Sequence, residues 1–94
     1  MTQPRTIHIR IEGHVQGVGY RYWLEMQAKA AGLTGWVRNR ADRSVEAVLQ
    51  GPPDDVADVL RRCEDGPPAA AVTRVEIIAE GVGVFDTFEV RTTA

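Results

Sequence analysis

Only one cysteine, Cys63, occurs in this chain of 94 residues, so no internal disulfide can form and a reducing compartment suits it. No run of about 18 apolar residues is present, so no membrane-spanning helix is expected. The opening segment Met-Thr-Gln-Pro-Arg-Thr lacks an apolar stretch, so no secretory signal is expected. A basic excess is missing too. The net charge is −2 and the isoelectric point is near 5.6, which argues against a nucleic-acid binder. Lys29 is the only lysine, so positive charge is carried almost wholly by arginine. Histidine occurs twice, as His8 and His14. Neither has a second ligand at metal spacing, so no metal site is expected. No Ser-His-Asp set is evident.

What is present suffices for one domain across residues 1–94, with 44% apolar residues to build a core. Residues 5–12 alternate, with Ile7, Ile9 and Ile11 on one face and His8, Arg10 and Glu12 on the other. That is a half-buried strand, and His8 is expected in solvent. Residues 20–31 read as a helix whose apolar positions are Tyr22, Trp23, Met26 and Ala30, stopped by Gly32. Residues 33–39 and 44–50 read as two strands joined by a hairpin. Pro52 and Pro53 open a second helix with Asp54 and Asp55 at its positive end and Val56, Val59, Leu60 and Cys63 as its buried stripe. Residues 72–78 form a fourth strand with Val75 and Ile77 on one face. A turn at Gly81 and Gly83 leads to a short last strand around Phe88 and Val90. Trp23, Trp36 and Cys63 are expected in the core, and His14 beside a loop.

The order β-α-β-β-α-β with a short extra C-terminal strand defines an α+β, ferredoxin-like two-layer sandwich. The first two strands run parallel, so their C-terminal ends share one edge of the sheet.

At that edge lies the segment G-H-V-Q-G-V-G-Y-R, residues 13–21, with three glycines between a strand and a helix. It does not satisfy G-x-G-x-x-G, and no G-K-[ST] follows. Two readings of these residues stay open. A tight β–α turn needs glycine for geometry alone. An anion cradle needs it so that backbone N–H groups at a helix start can approach a ligand. Arg21 tilts the balance. A cation in a first helical turn sits badly against the positive dipole end unless an anion joins it, and its planar fork fits a phosphate. Asn39 ends the second strand at the same edge, where asparagine is often only a turn former.

Residues 13–21 resemble the first signature of the acylphosphatase family, G-x-V-Q-G-V-G-[FY]-R. Gly35-Trp36-Val37-Arg38-Asn39 is similar to the second, G-[FYW]-[AVC]-x-N. The spacing, the length and the element order also resemble that family over nearly the whole chain. One position departs: Arg43 stands where the family usually has glycine.

The resemblance implies hydrolysis of acyl phosphates to carboxylate and inorganic phosphate, with no cofactor and no metal. It implies that Val15, Gln16, Gly17, Val18, Gly19, Tyr20 and Arg21 bind the phosphate and that Arg21 and Asn39 are catalytic, Asn39 orienting the attacking water. The partner is then a small-molecule acyl phosphate, inorganic phosphate is a product inhibitor, and a cytoplasmic monomer without nucleic-acid or membrane contacts is expected. Two rivals remain: an acylphosphatase-like domain of larger carbamoyl-handling factors, and a ferredoxin-like module that binds a phosphorylated metabolite without turnover.

Overall fold

The computed structural model describes residues 3–81 and 83–94. Met1 and Thr2, which belong to the segment read above as no secretory signal, lie outside the described residues, as does Val82 in the Gly81–Gly83 turn. The elements are β1 (Arg5–His14), α1 (Tyr20–Ala30), β2 (Thr34–Asn39), β3 (Val45–Gly51), α2 (Pro53–Asp65), β4 (Ala71–Glu80) and β5 (Phe88–Val90). The strands form one 5-stranded sheet in the order β4-β1-β3-β2-β5. β3 is antiparallel to both β1 and β2, so β1 and β2 run in the same direction one strand apart. β5 closes the other edge, parallel to β2, with Gly35 opposite Phe88. This is the expected ferredoxin-like α+β sandwich.

Alternation in β1 and β3 puts Ile7, Ile9, Ile11, Val45, Ala47 and Leu49 on one face, and all are fully buried. Burying each Ile or Leu side chain is worth about 1.5–3 kcal/mol. Both helices cover this face. α2 buries Val56, Val59 and Cys63, with Leu60 packed at the margin, as its spacing indicates.

α1 differs from expectation. Its buried residues are Tyr20, Leu24 and Ala28, an i, i+4, i+8 stripe. Tyr22 and Met26 stand in solvent, and Ala30 is exposed. The phenol of Tyr20 explains the choice. Its hydroxyl donates to the Cys63 carbonyl at 2.7 Å, so the ring reaches under the helix to α2 and sets the rotation of α1. Trp23 is half-buried and tilts against Tyr20 with ring centroids 5.2 Å apart.

Among the described residues no helix covers the opposite face of the sheet, and two expectations fail there. Trp36 is buried, but under polar neighbours instead of in the helix-facing core. The Arg38 and Arg91 guanidinium carbons lie 4.9 and 4.8 Å from its ring centroid, and His8 meets its edge at 5.7 Å. His8 is not free in solvent either. Its Nε2 donates to Glu46 Oε2 at 2.5 Å. Glu46 also accepts from Arg38 Nε at 2.7 Å and Arg40 at 3.1 Å. Burial pushes the Glu46 carboxyl up, but the bonds from Arg38, His8 and Arg40 outweigh it and hold the group below its ordinary value.

Candidate active site

β1 runs two residues past its expected end, pairing Gly13 with Val72 and His14 with Ala71. The cradle therefore shortens to residues 15–19. His14 stays exposed and does not line the site.

Each side chain in this short loop has a separate task. Val15 is buried in the core, and Val18 packs against it. Gln16 Nε2 donates to the carbonyls of Arg40 and Ser44 at 2.7 and 2.8 Å, tying the loop to the β2–β3 hairpin. Tyr20 is fixed to Cys63 as described. With those side chains occupied, the loop faces the solvent through its backbone. Gly17 and Gly19 hold φ of 75° and 82°. A Cβ at either would meet nothing within 4 Å, so backbone conformation and not space requires glycine there.

Gly19 is also the N-cap of α1 and supplies no side-chain cap, and the first turn holds no acidic residue. The first N–H groups of the helix are thus left for an outside acceptor. Arg21 joins them. Among the described residues it has no carboxylate partner, whereas Arg10, Arg38, Arg40, Arg61 and Arg74 each have one.

Asn39 reaches the same place from β2. Its register opposite Val45, which in turn faces Ile11, puts it at the edge where β1 gives way to the loop. Its carbonyl accepts from the Ala94 N–H at 3.1 Å, and the Ala41 N–H donates to the Ala94 backbone oxygen at 2.7 Å. The segment after β5 therefore braces the end of β2 on both sides of Asn39. No local pattern in residues 91–94 announces that role. The side-chain Oδ1 of Asn39 is buried and has no hydrogen-bond partner among the described residues. Such an acceptor costs about 1–3 kcal/mol when left unmatched.

Val15, Gln16, Gly17, Gly19, Tyr20 and Arg21 share one cavity of about 230 Å³ with Tyr22 and Asn39. Val18 does not line it. Cys63 lies elsewhere, buried, its thiol pushed up to about 12 by burial, so it is no nucleophile at neutral pH. A larger cavity of about 330 Å³ lies over Arg10, Glu12 and the hairpin residues Asp42, Arg43 and Ser44. It supplies its own counter-charge, since Arg10 already pairs with Glu12 at 2.8 Å.

Arg43 belongs to that second cavity and not to the one holding Arg21. It keeps the left-handed conformation of the usual glycine, with φ of 80°. Its N–H donates to the Arg40 carbonyl at 3.1 Å, and Asp42 Oδ1 accepts from both the Ser44 N–H and hydroxyl. These bonds hold the turn in a shape that strains a residue with a Cβ by about 1–2 kcal/mol. Arg43→Gly is expected to raise unfolding free energy by about 1 kcal/mol. Its kcat/KM should stay within a few-fold of the parent. Denaturant melts read the first effect, and an unchanged midpoint would remove the strain account.

The acylphosphatase family model matches residues 7–90. An acylphosphatase of Bradyrhizobium diazoefficiens is 55% identical over 69 residues, 73% of this chain and 70% of the relative. One from Thiobacillus denitrificans is 46% identical over 87 residues, 93% of this chain and 97% of the relative. The solved acylphosphatase of Coxiella burnetii superposes with a TM-score of 0.89 at 36% identity, covering 97% of this chain and all of that one. The chain belongs to the acylphosphatase family, enzymes that hydrolyse acyl phosphates.

Proposed function

We propose that the cavity between the residue 15–21 loop and Asn39 binds the phosphoryl group of an acyl phosphate and hydrolyses it with these residues alone. The observation that carries this reading is that Asn39, whose buried Oδ1 has no partner among the described residues, lines the same cavity as Arg21, which has no carboxylate partner among them. Such an acceptor and such a cation fit a water and an anion.

In this mechanism the backbone N–H groups of residues 15–21 and the Arg21 fork hold the phosphoryl oxygens. Arg21 grips two of them and neutralises charge that builds in the transition state. Asn39 Oδ1 accepts a hydrogen bond from a water and points its lone pair at phosphorus. The amide carries no charge, so it does not repel the substrate. The water oxygen forms a bond to phosphorus as the bond from phosphorus to the acyl oxygen breaks. The carboxylate departs with that electron pair as a stable anion and needs no proton. The water's proton passes to a phosphoryl oxygen. Placement and charge stabilisation supply the acceleration, so neither a metal nor a cofactor enters.

The same groups bind the product. We further place the enzyme as a monomer in the reducing cytoplasm, acting on a small molecule without nucleic-acid or membrane contacts. Release of carboxylate from benzoyl phosphate in the presence of EDTA tests the reaction and its metal independence together. Inorganic phosphate should inhibit competitively. It should also raise the melting temperature, since a ligand at a hundredfold excess over its Kd adds about 2.7 kcal/mol to the folded state. Arg21→Ala should abolish both effects. An unshifted melt at inhibitory phosphate would mean that the inhibition does not come from this cavity.

A further inference from the structure

Tyr22 and Met26 are large apolar side chains that α1 leaves in solvent, 66% and 49% exposed. Four residues apart, they lie one turn from each other on the same helix face. Among the described residues, the other exposed large apolar side chains, Ile77, Ile78, Val84 and Val90, belong to β4 and the chain around β5 and do not line the cavity of Arg21. Tyr22 does line it. An apolar stripe on α1 therefore starts at the mouth of the phosphoryl cavity and runs away from it.

The size of that cavity gives the stripe a task. Pockets that enclose a drug-sized ligand measure about 300–1,000 Å³, and this one holds about 230 Å³. It accommodates the phosphoryl end, while a sizeable acyl group must extend past the rim. At the rim the side chains of Arg21 and Asn39 are polar and that of Val15 is turned into the core. The phenol ring of Tyr22 is the flat apolar surface on offer, and Met26 prolongs it with a flexible, polarisable chain.

We infer that Tyr22, continued by Met26, is the platform for the acyl part of the substrate, and that the site favours acyl phosphates with a flat aromatic or extended apolar acyl group over small ones. This rests on the reading of the cavity as the phosphoryl site. The acyl group touches the ring both before and during bond breaking, so the contact is uniform binding and belongs in KM, not in kcat.

The test compares kcat/KM for benzoyl phosphate with that for acetyl phosphate in wild type, Tyr22→Ala and Tyr22→Phe. The ratio between the two substrates, taken across the proteins, cancels their intrinsic reactivity. In Tyr22→Ala the benzoyl-to-acetyl ratio should drop roughly three- to tenfold, the scale of one aromatic contact, through a higher KM for benzoyl phosphate. Tyr22→Phe should keep the ratio, because the ring and not the hydroxyl is the platform. Thermal melts confirm that each variant is folded, which the exposure of Tyr22 favours. An unchanged ratio in Tyr22→Ala overturns the inference. An equal loss on both substrates also overturns it, because Tyr22 would then shape the cradle itself. Folded wild type that turned over neither substrate would refute the phosphoryl-site reading first, and this inference with it.

Discussion

Arg21→Lys is expected to lose activity almost as completely as Arg21→Ala. Lysine keeps the charge but replaces a planar fork with a single hydrated point. Two parallel N–H bonds to phosphoryl oxygens become one, and the cradle no longer fixes the group for in-line attack. Removing a preorganised donor from a developing charge costs about 3–4 kcal/mol, or roughly 10²- to 10³-fold in turnover. The fold should survive either change. Arg21 is half-exposed in the first turn of α1 and has no ion-pair partner among the described residues that would be left behind. Relieving an uncompensated cation at the positive helix end should, if anything, leave Arg21→Ala slightly more stable. Steady-state kinetics on benzoyl phosphate, with melts as a folding control, decide the matter. A folded Arg21→Lys enzyme with wild-type kcat/KM would end the proposed role.

Asn39→Ala is expected to separate turnover from binding. Asn39 is assigned to the water, so its loss should depress kcat by about 10²-fold, the scale of a misplaced reactant. Phosphate affinity, read from competitive inhibition, should be nearly intact because Arg21 and the loop remain. Stability gives a second readout. The buried Oδ1 has no partner among the described residues, so truncation removes a desolvated acceptor that costs about 1–3 kcal/mol. The melting temperature should therefore not fall, although a polar side chain has been deleted from the end of β2. Asn39→Asp should behave differently, since a carboxylate at that point repels the phosphate and weakens binding as well. Equal loss of turnover and phosphate affinity in Asn39→Ala would assign the residue to the cradle instead.

These two residues also mark how far the sequence could be read. Arg21 was legible because one local conflict pointed outward: a cation at the positive end of a helix, after glycines that leave backbone N–H groups open. Asn39 was legible only as a residue at the right edge of the sheet, through the parallel sense of β1 and β2. The backbone brace at its end of β2 comes from Ala94, far along the chain. No local pattern carries that information.

The element order, the alternation of β1, the buried stripe of α2 and the glycine loop between β1 and α1 are legible from local pattern alone. Those features follow from period, from proline and glycine, and from charge at helix ends, all set by neighbours in the chain. Contacts between residues far apart in the chain set the rest. The period of α1 pointed to Tyr22, Trp23, Met26 and Ala30, but the buried stripe is Tyr20, Leu24 and Ala28, held by the Tyr20 hydroxyl bond to Cys63, and Tyr22 and Met26 are left in solvent. Alternation placed His8 on the face opposite Ile7 but left it in solvent, and Trp36 was expected in the core; the Arg38 and Arg91 guanidiniums over the Trp36 ring and the Glu46 carboxylate against His8 decided both environments. Sequence left the Arg43 turn free to keep or lose its left-handed shape. Backbone bonds to Arg40 and the Asp42–Ser44 contacts kept it, because a register already fixed by the paired strands leaves the turn no cheaper path.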